Sequence, residues 1–285
     1  MAVLIAGCSA VRLGYNTAPT LGYWWLDSYF DFDGEQSLRI RTDLQAVQDW
    51  HRKEELPLLI QTLRELQAMA PKAVTPAQVC AVVPGLQTRV LVTLERVSPS
   101  IAAIAPSLQT AQIENMVREF EKRNKKWRAE WLEGTLAERR VGKIVDRAES
   151  LYGTLEPAQI AIIKNHIQTS SFDGPRNYRE MLRRHEDALQ VLKSLRTTKV
   201  APAQATAAIR GLVERTLNAP DPAYRQYIER LTLESCAATA AVHNISTSGQ
   251  RAHLLQALQD YEGDARALAG QSSQASSNPA SSPAL

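Results

Sequence analysis

The 285-residue chain has no uninterrupted apolar run approaching the roughly 18 residues of a membrane-spanning helix, so no transmembrane helix is expected. It has only three cysteines, Cys8, Cys80 and Cys236, and none sits in a C-x-x-C pair, which argues against a zinc ribbon or a thioredoxin-type site. It lacks both G-x-G-x-x-G and the P-loop pattern, so no nucleotide or other small-molecule cofactor is expected. It lacks charge of one sign: the formal net charge is +3, too slight an excess to suggest a nucleic-acid partner. No segment alternates apolar and polar residues over several positions between turn dipeptides, so strands are not expected.

Histidine is also scarce. His185-Glu186 opens an H-E-x-x-H pattern, but Leu189 stands where the second histidine would be needed. His51, His166, His243 and His253 are at no ligand spacing, and no metal site is expected. Asp31-Phe32-Asp33-Gly34 has part of a calcium-loop pattern, but Ile40 occupies the position of the closing glutamate, and Asp33 fits a helix cap better. There is no G-x-S-x-G elbow and no cysteine close to a histidine in sequence, so no catalytic residues are assigned and the chain is not read as an enzyme.

What the chain does contain is helix punctuation. Aspartate 33 followed by Gln36 predicts a capping box opening a helix with the stripe Ile40, Leu44, Val47 and His51; Pro57 should kink or break it. Four related helix starts follow: VTPAQ at 74–78, LQTAQ at 108–112, LEPAQ at 155–159 and VAPAQ at 200–204. Thr75, Pro76 and Gln78 supply cap, first-turn proline and reciprocal acceptor, whereas Glu156 and Ala201 can complete at best half a box. TSGQ at 247–250 repeats the Thr/Gln spacing. The helix after LQTAQ carries the stripe Ile113, Met116, Val117, Phe120, Trp127 and Trp131 and ends at Gly134; Thr135 and Glu138 start another, which ends at Gly153. After the loop SSFDGPRNY a stripe of Tyr178, Leu182, His185, Leu189 and Leu192 follows, and further helices are expected over about 202–217, 222–243 and 248–268. His51 and His185 each replace an apolar residue on a helix face. Both read as hydrogen-bonded core-edge histidines, with a pH-sensing role as the alternative.

Seven aromatic side chains crowd residues 15–32, where Thr20 is expected to cap a short helix running to about Phe30. That segment reads as an aromatic anchor on the body, or alternatively as a platform at a membrane surface. From Gly270 the chain is poor in apolar bulk and free of charge, and a disordered Ser/Ala/Pro-rich tail is expected over 269–285.

Two resemblances add to this. Leu4-Ile5-Ala6-Gly7-Cys8 resembles a bacterial lipobox, which implies diacylglyceryl attachment at Cys8. Residues 1–7 then read as the remnant of a truncated export signal and 8–19 as a lipid-anchored linker. Ser9, in place of Asp, implies sorting to the outer membrane. In an oxidising compartment Cys80 and Cys236 can pair; the alternative is two buried thiols. GYNTAPTLGYWWLDSYFDFDGEQ, TPAQVC, the Trp127/Trp131 helix, and His243-Asn244 with Thr247 and Gln250 resemble a family of uncharacterised Gram-negative lipoproteins defined only as a domain of unknown function. The L-T-x-x-Q-like helix starts more weakly resemble small periplasmic helical chaperones.

The expected fold is therefore all-α: an irregular multi-helix bundle over residues 20–268. The expected function is a lipid-anchored, periplasm-facing protein that binds or scaffolds in the cell envelope, or alternatively a chaperone-like holdase or foldase. Its partners would be the outer membrane, through acyl chains on Cys8, and a protein partner or client.

Overall fold

The computed structural model describes residues 10–275, and among these there is no strand. Cys8 and residues 276–285 lie outside the described residues, and with them the acylation site and most of the expected tail. Eleven α-helices follow one another: α1 (Ala10–Phe30), α2 (Gly34–Trp50), α3 (Leu56–Met69), α4 (Pro76–Ile104), α5 (Thr110–Trp131), α6 (Leu136–Tyr152), α7 (Pro157–Thr169), α8 (Gly174–Thr197), α9 (Pro202–Leu217), α10 (Pro222–Asn244) and α11 (Ser248–Ala275). A π-helical segment, His51–Glu55, joins α2 to α3, and a 3-10 turn, Ala105–Ser107, follows α4. The bundle is irregular and all-α.

The largest core joins five helices. Tyr29 of α1, Ala102 of α4, Ile113 and Met116 of α5, Leu189 and Leu192 of α8, and Ile209 of α9 pack together. A second cluster joins Leu63 of α3 to Leu254 and Leu258 of α11. A third joins α6, α7 and α10 around Ile163 and Val242.

Three elements depart in kind from the sequence expectation, proline bearing on two of them, and a fourth, α11, departs only in length. Helix α1 does not start behind Thr20. It starts at Ala10, so most of the segment expected as a linker over 8–19 is helical, and Pro19 lies inside it. Proline removes the N–H that would bond the carbonyl four residues back. That carbonyl belongs to Tyr15, and it accepts instead from Gln48 Nε2 of α2. Pro57 does not break its helix either. The α-helical pattern is interrupted instead by a π turn ahead of it, where Leu56 N–H donates to His51 O five residues back. At the other end, α11 runs past Gly270 to Ala275, longer than expected.

The third difference is α4. Residues Pro76–Ser107 reach the length and composition of a spanning helix, with mean hydropathy 1.3, although no such helix was expected. Here the helix packs along α9 and α10, and its Arg89 reaches the buried carboxylate of Glu55 at 3.5 Å.

The capping motifs do more than start helices. Asp33 Oδ1 accepts from Gln36 N, and Gln36 Oε1 accepts from Asp33 N. Thr75 and Gln78 close the same box. At Gln109, Glu156 and Ala201 only the glutamine half is made, because the cap-position side chain accepts no helix N–H there; that of Gln109 donates to Ser107 O instead. Thr135 precedes α6 without making a cap bond.

Four of these glutamines then pair across the fold. Gln112 Nε2 donates to Gln36 Oε1 at 2.6 Å, which locks the start of α5 to the start of α2. Gln250 Nε2 donates to Gln159 Oε1 at 2.8 Å and Gln159 Nε2 returns a bond to Gln250 Oε1 at 3.1 Å, which locks α11 to α7. Gln159 is fully buried and Gln250 nearly so. Each buried amide thus satisfies an orphan helix-terminal N–H and a facing amide together, which burial of polar groups requires.

Candidate binding groove

The α5 stripe passes from core to groove along its length. Ile113 and Met116 are buried under α1 and α8. Helix α5 runs antiparallel to α1, from Asn115 beside Ser28 and Tyr29 to Arg123 beside Trp25, and the later rings of the stripe, Phe120, Trp127 and Trp131, are only partly covered. Between the end of α1, the second half of α5 and α8 a groove of about 710 Å³ opens, lined by residues including Trp25, Tyr29, Phe120, Trp127, Met116, Met181 and His185. A second hollow of about 430 Å³ adjoins it, sharing Trp127, Met181 and His185 and adding Trp131, Phe172 and Tyr224.

The rings hold one another in place. The His185 imidazole stacks on Phe120, centroids 3.9 Å apart and planes within 3°. Phe120 meets Tyr29 edge-on at 5.7 Å. Trp127 stacks with Tyr178 at 5.5 Å and lies 6.2 Å from Trp131. At the far end Gly174 lets α8 approach α5: a Cβ there would lie 3.0 Å from the Trp131 carbonyl oxygen and closer still to Leu132.

The rim is basic. Residues 122–128, KRNKKWR, carry five cations and no acid. Arg123 stands 4.9 Å from the Tyr29 ring centre and 5.4 Å from that of Trp25. Lys143 covers Trp131 at 4.6 Å and Arg140 covers Phe172 at 4.1 Å. Such guanidinium and ammonium positions over ring faces are favourable and keep the rings oriented. Glu130, the acid in the groove lining, is engaged by the Lys143 ammonium, which lowers its pKa. Burial, then the Arg123 charge, lowers the pKa of His185, so the stacked ring is neutral at neutral pH. Burial raises the Tyr29 phenol.

The sequence candidates separate. His185 lies in the groove, but its buried Nδ1 makes no hydrogen bond, so its place is fixed by stacking, not by the hydrogen bond expected of it. His51 lies in the π segment and shares a 2.9 Å hydrogen bond with Tyr15 Oη; burial lowers its pKa. Among the described residues no three His, Cys, Asp or Glu side chains gather as a metal would require.

Cys80 of α4 and Cys236 of α10 stand at disulfide distance, with Cα atoms 5.5 Å apart. Close by, His243 and Asn244 hold the segment before α4. His243 Nε2 lies 2.8 Å from Lys72 O and its Nδ1 2.9 Å from Tyr152 Oη, while Asn244 accepts from Val74 N and donates to Val74 O. The His-Asn pair therefore fastens the α3–α4 connection to the end of α10.

A family model matches residues 28–216. The chain belongs to DUF6279, a family of unknown function. No curated protein and no solved structure matches it. The matched span of DUF6279 contains every groove residue except Trp25 and Leu26, and contains Cys80 but not Cys236. Sequence reasoning quoted Trp127, Trp131 and His185 as stripe residues without seeing that they share one groove. It missed Met181 and the basic rim, for which the run at 122–128 was the available signal.

Proposed function

We propose that this chain is a lipid-anchored, periplasm-facing protein of the bacterial envelope that works by binding, with the aromatic groove as its docking site. The occupant is an extended segment of a partner protein bearing apolar side chains and acidic charge. The groove itself carries this reading: rings and two thioethers line it, and Arg123 and Lys126 stand in its wall. Apolar surface supplies the attraction, while the basic rim selects charge and steers encounter. The groove's carboxylate is already paired and its histidine is stacked, which favours binding over catalysis.

The anchor is Cys8, supported by the Leu-Ile-Ala-Gly that precedes it; Ser9 favours the outer membrane. Two acyl chains or more are needed for stable retention. A Cys80–Cys236 disulfide suits an oxidising compartment.

Two experiments test this. Membrane fractionation after a high-salt wash, which strips charge-dependent contacts, should find the native protein with outer membranes and Cys8→Ser in the soluble fraction; Cys8→Ser retained on membranes through that wash refutes the anchor. Tryptophan fluorescence titrated with labelled ten-residue peptides should saturate for acidic, aromatic-rich peptides, and Trp127→Ala with Met181→Ala should weaken that binding about tenfold. Absence of saturable binding by any peptide refutes the groove.

The two methionines favour a second reading. Unbranched thioethers adapt to many shapes, as a chaperone-like holdase needs. Suppression of aggregation for several unrelated unfolded proteins would select that reading; a narrow peptide preference would select the first.

A further inference from the structure

The outward face of α1 meets the groove only at Trp25 and otherwise lies outside it. Every exposed residue between Ala10 and Phe30 is uncharged. The two charged residues of the helix are drawn inward: Arg12 pairs with Asp264 of α11 at 3.0 Å, and Asp27 Oδ1 accepts from Phe32 N at 3.0 Å. On the outward face stand Leu13 (61% exposed), Leu21 (59%), Trp24 (58%) and Trp25 (52%). From Leu13 to Trp25 the strip runs roughly 18 Å along the helix, with the uncharged Thr17 and Thr20 on the same side. Large apolar side chains grouped this way mark an interaction surface.

The surroundings of the strip identify what covers it. Arg41 of α2 lies 5.5 Å from the Trp24 ring centre, and Arg123 of α5 lies 5.4 Å from that of Trp25. The tryptophan pair is thus bracketed by guanidinium groups, one from α2 and one from α5. Tryptophan favours the boundary between headgroups and acyl chains, leucine the acyl side, and arginine the anionic headgroups above. A charge-free apolar strip with cations along its edges has the chemistry of a helix lying in a membrane interface. We infer that α1 rests its outward face on an anionic lipid bilayer, independently of any acyl chain on Cys8. Because α1 begins two residues after Cys8, an anchored chain would hold this same face against the lipid, and the groove that opens beside Trp25 would lie close to the membrane surface.

The test uses the full chain as Cys8→Ser, so that acylation plays no part. It is mixed with vesicles of phosphatidylglycerol and phosphatidylethanolamine and floated on a density gradient. The protein should float with these vesicles and shift its tryptophan emission to the blue. It should float about tenfold less with phosphatidylcholine vesicles or in high salt. Leu21→Asp with Trp24→Ala, neither of which lines the groove, should reduce flotation about tenfold while leaving the thermal transition and peptide binding in place. Trp127→Ala should float normally, which separates this inference from the fate of the groove. Failure of the Cys8→Ser chain to float overturns the inference, as does equal flotation of the α1 variant. A dimer in solution that the same α1 substitutions dissociate, with no vesicle binding, would overturn it in favour of a second copy of the chain.

Discussion

Gln78 and Gln159 occupy the same position in two helix-start motifs, yet the fold uses them differently, and a pair of substitutions measures that difference. In Gln78→Leu the only bond lost from the glutamine side chain is to Thr75 N, at an exposed helix start where water replaces it. The cost should be about 0.5–1 kcal/mol. In Gln159→Leu the equivalent bond to Glu156 N is lost at a part-buried site, and so are the reciprocal bonds with Gln250 and the donation to Ser246 Oγ at 3.0 Å. One desolvated N–H costs about 1–3 kcal/mol and each net bond about 1 kcal/mol; the apolar gain from leucine offsets about 1 kcal/mol. The net loss should be about 3–5 kcal/mol. Urea unfolding followed by circular dichroism, with the slope checked for constancy, reads both values. If the two variants lose the same stability, the reciprocal glutamine pair adds nothing beyond its local cap, and the account of how α7 is locked to α11 fails.

Three further outcomes follow from other contacts. Reduction, or Cys80→Ser with Cys236→Ser, should lower stability by about 5 kcal/mol on the chain-entropy model for a separation of 156 residues; two free thiols in the denatured, unreduced protein would refute the bond. Glu262 of α11 accepts from Arg64 Nε and Gln67 Nε2 of α3, each at 2.8 Å, and these bonds with that from Arg266 lower its pKa from 4.5 to about 2. A carboxyl depressed on folding stabilises fully above its unfolded pKa, and that stability drains away as pH falls from 4.5 towards 2. Glu262→Gln should flatten the acid limb of a pH–stability profile in that window and leave the neutral region's slope unchanged. Gly174→Ala should cost about 1–3 kcal/mol, because its methyl meets the Trp131 carbonyl and Leu132; a melting curve unchanged from that of the native chain would show that the close approach is not rigid.

Much of the fold was legible because helix starts are local. Asp33 with Gln36 and Thr75 with Gln78 need only four residues to declare themselves, and α9 and α10 begin where their prolines and caps place them. Gly153 ends α6 at a positive φ of 73°, a conformation glycine adopts readily. The misread helix α1 shows the limit of local reading. Pro19 is tolerated because Gln48, 33 residues from Tyr15 in sequence, donates to the Tyr15 carbonyl that the proline leaves orphaned.

The site was less legible than the fold. Phe120, Trp127 and Trp131 fall on one helical face by their spacing alone, so the sequence determined that they would share a side. It also determined the all-helical class, the helix starts and the basic run that follows Phe120. Only the tertiary structure decided that the first half of that face would be buried and the second half left as a groove, because that depends on how α1 and α8 lie along α5. Likewise the sequence made α1 free of charge save Arg12 and Asp27. The packing against α2, α5 and α11 then chose which face turns outward and placed Arg41 and Arg123 at its edges. Spacing fixes which residues share a side of one helix; the neighbours that cover that side come from distant parts of the chain and are set by packing, not by local sequence.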